Sequence, residues 1–414
     1  MSVTETAAKP GFYDVAILGA GYAGLMAALR LGRRKWGLRI ALINARDQFL
    51  ERVRLQESIV AEVPPRIPSI SQFVAGSTID FICGGVTSLD ADRRRIRVAT
   101  VTGEQEIAFD QVIYGLGSNI DVSDVPGASA FAYRLEPGEG PRSAAALRSK
   151  LRDYADRCVR VVTVGGAETG IEVAGEIKAA WPNAEVTMIS RSRCGNFKGS
   201  RVETVVRTAL TGMGVALIDH ETVTEVGPTE VITDTSRTIA CDICVWSGGL
   251  RAAPIASQAG LATDPHGRIQ VDACLRSISH PQIFAVGDAA RPIAPTGAPY
   301  RMSAFAALVS GAYAADAIVA ERAKQPLPPF SFSTVGQGVA IGRGGVGFLN
   351  YPDDVQSLFI LRGGTARNVR NFFVWLVTYV LKLERKFPGS FFWPGRRRVS
   401  WQQANKALQQ VLTA

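Results

Sequence analysis

The chain has 414 residues, 47% of them hydrophobic and 20% charged, with a formal net charge of +9. That length exceeds one compact core and predicts two or three domains, while the composition excludes global disorder. Six cysteines and no signal peptide predict a reducing, cytoplasmic setting.

The first predicted element is a strand over Val15–Leu18 in "YDVAILGAGYAGLMAALRLG". Gly19-Ala20-Gly21-Tyr22-Ala23-Gly24 follows as G-x-G-x-x-G, and a helix is predicted over Leu25–Leu31. Gly19 permits the tight turn, Gly21 lets backbone reach a pyrophosphate, and Gly24 lets the helix pack on the strand. The helix start adds free N–H groups and a positive dipole end. The next strand, "RIALIN", ends at Asn44, twenty residues after Gly24, where an acid usually binds a ribose. Asn44 departs from that acid but keeps an amide able to bond a hydroxyl, and Arg46 follows it.

"FDQVIYGLGSN" ends a strand in small residues around Gly117, and "CDICVWSGGL" does the same around Gly248. Between them the opening pattern returns in "VRVVTVGGAETGIEVAGEI", with Gly165-Gly166-Ala167-Glu168-Thr169-Gly170 between strand and helix. The following strand ends at Ser190, again twenty residues after the last glycine. Ser190-Arg191-Ser192-Arg193 offers two cations and no acid, with Lys198 nearby, which suits the 2′-phosphate of NADPH better than the 2′-hydroxyl of NADH. Later, the apolar strand Ile283–Val286 runs directly into Gly287-Asp288. Three prolines in "ERAKQPLPPFSF" mark the exit to a C-terminal region.

With these motifs the chain resembles the two-dinucleotide-binding flavoprotein reductases, within them the type II NADH dehydrogenase-like branch. The resemblance implies an α/β fold with two Rossmann-like domains and a smaller C-terminal α+β domain. The FAD-binding domain is expected over 1–120 and 250–325, interrupted by an NAD(P)H-binding domain over 121–249. The C-terminal domain is expected over 326–414. Hydride would pass from NAD(P)H to the flavin and on to a quinone or similar aromatic acceptor. The resemblance further implies that Val86 meets the adenine through its backbone and that Asp288 bonds the ribityl chain. Glu172, in the first turn of the second helix, would lie near nicotinamide and flavin, positioning one or relaying a proton. Glu172 is therefore the candidate catalytic residue.

Rival chemistries fit less well. Disulfide reductases of this fold carry a redox pair shortly after the first ribose-binding strand, yet residues 45–70 hold no cysteine. Cys241-x-x-Cys244 has redox spacing but sits in what reads as a buried strand, and sulfide–quinone chemistry lacks any cysteine after Cys274. Three scattered histidines give no metal site. In "MSAFAALVSGAYAADAI", Phe305, Val309 and Ser310 stand where the resemblance places quinone-lining glutamines. That departure leaves two alternatives open, a soluble reductase of a ferredoxin-like partner or biosynthetic substrate and a low-turnover redox sensor.

The charge concentrates at 362–398, with nine Lys/Arg against one acid, Glu384. The two dinucleotide motifs argue against nucleic acid as its partner, leaving an anionic membrane surface as the candidate. Phe372–Leu381 is uncharged for only ten residues, half a bilayer span. Its apolar residues read as surrounding the helix, so a buried closing helix and a peripheral foot on the inner face of the membrane both remain. No pattern marks an oligomer interface.

Overall fold

The computed structural model describes residues 11–32, 36–136, 138, 140–154, 157–195, 201–333, 336–350, 356–396 and 398–412. Val15–Leu18 are wholly buried in the strand Phe12–Leu18, as befits a parallel strand covered on both faces. It pairs with Ile40–Asn44 on one side and Gly103–Tyr114 on the other. Ile79–Asp90 extends the parallel sheet beyond the first, and Ile283–Ala285 beyond the second. The strand Arg95–Thr100 joins Ile79–Asp90 to Gly103–Tyr114 by antiparallel pairing. This first unit thus receives its last strand from far along the chain.

The helix Tyr22–Leu31, longer at its start than the sequence suggests, is buried along its whole length. It lies against the helix Ala304–Arg322, where a Cβ on Gly311 would stand 2.1 Å from the Ala23 carbonyl oxygen. The longer helix has the length and apolarity of a membrane span, but most of it is enclosed here.

A second parallel sheet runs Ala216–Asp219, Glu185–Ser190, Arg160–Val164, Ile243–Trp246, Ala132–Arg134. The helices Glu168–Ala180 and Arg201–Gly212 cover it. Where the chain leaves and re-enters the first unit, Ser118–Ile120 and Leu250–Ala252 pair antiparallel, so the two glycine-marked crossings hold each other.

The C-terminal region is an antiparallel meander, Gly336–Ile341, Gly344–Asn350 and Gln356–Arg362, followed by the 24-residue helix Gly363–Lys386. This tail helix departs from the sequence reading. Its apolar residues do not simply surround it; the buried stripe is Ala366, Arg370, Val374, Thr378, Leu381 and Glu384. Phe372, Phe373, Trp375 and Tyr379 face outward instead. The stripe is polar because it meets polar partners. Arg30 reaches Glu384 at 3.3 Å and holds Asp316 with two nitrogens at 2.6 and 3.1 Å. Glu384 also accepts from the backbone N–H groups of Gly389 and Phe391. Trp393, fully buried, donates its indole N–H to Ser331 O at 3.0 Å and closes the tail onto the core.

Replacing Glu384 with Ala leaves those two N–H groups unpaired and removes one partner from buried Arg30. The expected loss is about 3 kcal/mol, read as a lower unfolding midpoint in urea. An unchanged midpoint would show that the network does not anchor the tail.

Candidate active site

The first glycine turn is built for something to rest on it. Gly19 has φ +90°, and a Cβ there would sit 2.5 Å from the Gly115 carbonyl oxygen. A Cβ on Gly24 would stand 1.8 Å from the Gly19 oxygen, so helix and turn touch backbone to backbone. Gly21 differs, because nothing lies within 4 Å of the position its Cβ would take. The helix start has no side-chain cap, which leaves N–H groups of Gly21, Tyr22 and Ala23 around that open space. An anionic pyrophosphate fits this mouth. Asn44 sits beside it, but its Oδ1 accepts from Ala20 N–H at 2.9 Å and its Nδ2 donates to Arg46 O at 2.7 Å. Its amide therefore fixes the turn. Arg46 is exposed, and half-buried Val86 lies opposite Val98 on the neighbouring strand.

At the other end of the cradle Gly287 turns at φ +61° and donates its N–H to Ser310 Oγ. Asp288 accepts from Ser118 Oγ at 2.8 Å, next to Gly117 at φ +72°. Arg52 approaches the same hydroxyl at 3.4 Å. Gly287, Asp288, Tyr300, Ser303, Phe330 and Phe332 line one small cleft. Sequence reading found Gly287 and Asp288 but not that Ser310 braces the first and Ser118 the second, since a lone serine carries no pairing signal.

The second turn repeats the packing. Gly165 has φ +118°, a Cβ on Gly170 would lie 1.9 Å from its oxygen, and one on Gly166 would lie 2.5 Å from Ser190 Oγ. Gly248 approaches Gly165 from the neighbouring strand end, where a Cβ on it would stand 3.9 Å from Gly165 Cα. Ala167 and Glu168 are exposed at the helix start, again without a side-chain cap. Ser190 is buried under the turn and accepts from Ser192 N–H, Arg191 is exposed, and Arg193 pairs with Glu203. Lys198 lies outside the described residues.

Glu172 occupies the point where all three parts of the chain meet. Arg370 of the tail helix grips its carboxylate with Nε at 3.0 Å and Nη2 at 2.8 Å, and Ala340 N–H adds a bond at 2.9 Å. Arg370 Nη1 reaches Glu57 at 3.1 Å and Nη2 reaches Val53 O at 3.0 Å. Burial pushes the Glu172 carboxyl above its ordinary range, against the pull of Arg370 and the Ala340 N–H. The cysteines of the C-x-x-C stretch are different in kind. Both are buried; burial pushes Cys241 up to about 11 and Cys244 higher still, so neither supplies a ready thiolate.

The family profile described as pyridine nucleotide-disulphide oxidoreductase matches residues 13–311, which takes in both turns and the Gly-Asp strand end. The chain belongs to this family. It is similar to the demethylphylloquinone reductase of Synechocystis, 26% identical, with 80% of this chain and 85% of that protein covered. An NADH dehydrogenase-like protein of Mycobacterium tuberculosis is 30% identical, covering 67% of this chain and 72% of the relative. Among solved structures, NDH2 from Plasmodium falciparum in complex with NADH matches with a TM-score of 0.73 at 15% identity, covering 98% of each chain. The sulfide:quinone oxidoreductase of Aquifex aeolicus gives 0.75 at 17% identity, with 97% and 95% covered. At those identities the structures share the fold. As a pyridine nucleotide-disulphide oxidoreductase of the type II NADH dehydrogenase-like branch, the chain is an FAD-dependent oxidoreductase that uses NAD(P)H.

Within this oxidoreductase, Arg370 is the charged partner that opposes the effect of burial on Glu172 and favours its ionised form. Arg370→Ala strands that carboxylate and lowers stability by about 3–5 kcal/mol at neutral pH. Without its partner the Glu172 pKa rises further in the folded state, so the native form binds more protons than the unfolded chain above pH 4.5. Stability of the variant therefore falls as pH rises from that value, and the deficit against wild type is smaller at pH 5 than at pH 8. Thermal melts at the two pH values check this; equal deficits would mean Glu172 does not respond to Arg370.

Proposed function

We propose that the chain oxidises NAD(P)H, NADPH ahead of NADH, and delivers the electrons to a quinone or similar aromatic acceptor at an anionic membrane surface. FAD is held by 1–120 with 250–325, and the nicotinamide by 121–249, with 326–414 closing over them. When bound, FAD would supply the hydride- and electron-transfer chemistry. The residues around it bind and orient. Gly19–Gly24 receive the pyrophosphate, Asp288 braced by Ser118 receives the ribityl hydroxyls, and Val86 borders the adenine. Gly165, Gly166, Glu168 and Gly170 receive the nicotinamide's pyrophosphate, with Gly248 behind them. Glu172, clamped by Arg370, is a positioning residue at the junction of the two sites. Exposed Arg191 beside the acid-free strand end at Ser190 favours a 2′-phosphate.

The observation that carries the membrane and quinone reading is the outward face of the tail helix. Trp375 stacks on Tyr379 at 4.6 Å and leans on Phe372 at 5.8 Å, with all three exposed. Lys382, Arg385 and Lys386 follow on the same helix, and Phe387 and Phe392 are exposed beyond it. Aromatic rings beside cations suit the headgroup region of a bilayer. The similarity to the Synechocystis demethylphylloquinone reductase supports a quinone acceptor.

In anaerobic rapid mixing, NADPH is expected to bleach the flavin faster than NADH, and a short-chain quinone to restore its colour faster than oxygen does. Reoxidation no faster than by oxygen alone would sink the quinone reading. The protein is expected to float with anionic vesicles. Lys382→Glu with Lys386→Glu should weaken that at least about tenfold, from about 1 kcal/mol for each basic residue near the surface. Turnover indifferent to lipid yet steeply salt-dependent would point to an acidic protein partner instead.

A further inference from the structure

A groove of about 860 Å³ opens between the helix Arg201–Gly212 and the C-terminal sheet. It touches Lys178 and Ala179 near the end of the helix Glu168–Ala180, about 15 Å from the glycine turn at that helix's start. It is thus separate from the cofactor sites. Its floor is aliphatic, with Val205, Ala209 and Met213 on one side and Ile341 and Val346 on the other. Among the described residues the lining contains no acid and no aromatic ring, but it does contain three cations, Lys178, Arg343 and Arg362. Lys178 Nζ is occupied by the carbonyls of Pro182 and Ala184 at 2.8 and 2.6 Å. Arg343, at the turn between the first two strands of the meander, and Arg362, in register with Val346, are both exposed.

Close approaches at two glycines set the walls, one to the Met213 side chain and one to backbone. A Cβ on Gly342 would stand 2.6 Å from Met213 Cε, and one on Gly175 would stand 2.8 Å from Gly342 N. Helix and sheet therefore meet at a fixed separation, leaving a preformed space of the size that small ligands fill. A flat ring would find nothing to stack on, whereas a flexible alkyl chain suits an aliphatic floor. Two guanidinium groups suit the planar fork of a carboxylate.

We propose that this groove binds a long-chain carboxylate, its head at Arg343 and Arg362 and its alkyl chain along Val205, Ala209, Met213, Ile341 and Val346. The occupant rests on Ile341, whose neighbour Ala340 holds Glu172 through its N–H. The site is therefore one residue removed from a bond at the active-site junction, and the proposal stands whatever the electron acceptor is.

Calorimetric titration of the FAD-loaded protein with oleate, below its micelle-forming concentration, tests this. One saturable site per chain is expected. Arg343→Glu with Arg362→Glu should weaken it at least about tenfold, and oleyl alcohol, which lacks the charge, should bind weaker by a similar factor. Ala209→Trp should fill the floor and abolish binding. Retained FAD and unchanged flavin reduction by NADPH identify variants whose cofactor sites are intact. If Ala209→Trp loses its FAD, the charge-reversal variant and the alcohol still decide. No saturable binding to wild type, or equal binding by the charge-reversed protein, would overturn the site.

Discussion

Two charged side chains on the inner face of the tail helix, Arg370 and Glu384, govern how the parts of this molecule sit together. A buried charge must find a partner in a defined direction, whereas apolar surface tolerates many packings. Arg370 finds Glu172 in the second unit and Glu57 in the first. Glu384 finds Arg30, which rises from the helix behind the first glycine turn. One helix thus carries two polar pins at opposite ends, and their partners belong to sequence separated by hundreds of residues. With these residues turned inward, the aromatic residues take the outer face, so tail anchoring and surface aromaticity are one arrangement seen from two sides.

The glycine turns were legible because backbone geometry dictates the residue. Only glycine serves where a Cβ would stand 1.8 or 1.9 Å from a carbonyl oxygen, and both turns announce this at fixed spacing. The Gly287-Asp288 strand end was legible differently, from an apolar strand running straight into a glycine, which here turns at φ +61°. The position of Asn44 could be read, but its amide's attachment to Ala20 could not, because side-chain pairing across a turn has no period. Arg370 was hidden more deeply. In sequence it is one cation in a basic stretch, and nothing local separates an inward arginine from its solvated neighbours. Its partner Glu172 lies 198 residues away. The tail helix misled through its hydropathy, since a run of apolar letters does not say which of them the core has room to take.

On the helix Ala304–Arg322, the residues standing where amides were expected have other work in the fold. Ser310 braces the Gly287 turn, Val309 is fully buried, and Phe305 packs edge-on against Phe332 and Phe391. Tyr300 stacks on Phe332 at 4.6 Å beside the Asp288 cleft.

The late strand Ile283–Ala285 has a consequence for the order in which the protein comes into being. As the chain emerges from its N-terminus, the parallel sheet of the second unit has all its strands once Trp246 is out. The first sheet still lacks its outer strand and Asp288 at that moment, and the helix Ala304–Arg322 that covers Tyr22–Leu31 is later still. The inserted unit can therefore close while its host remains open, with apolar Tyr22–Leu31 waiting uncovered. The flavin cradle is thus finished only after the inserted unit, although the turn that begins it is among the first to be made.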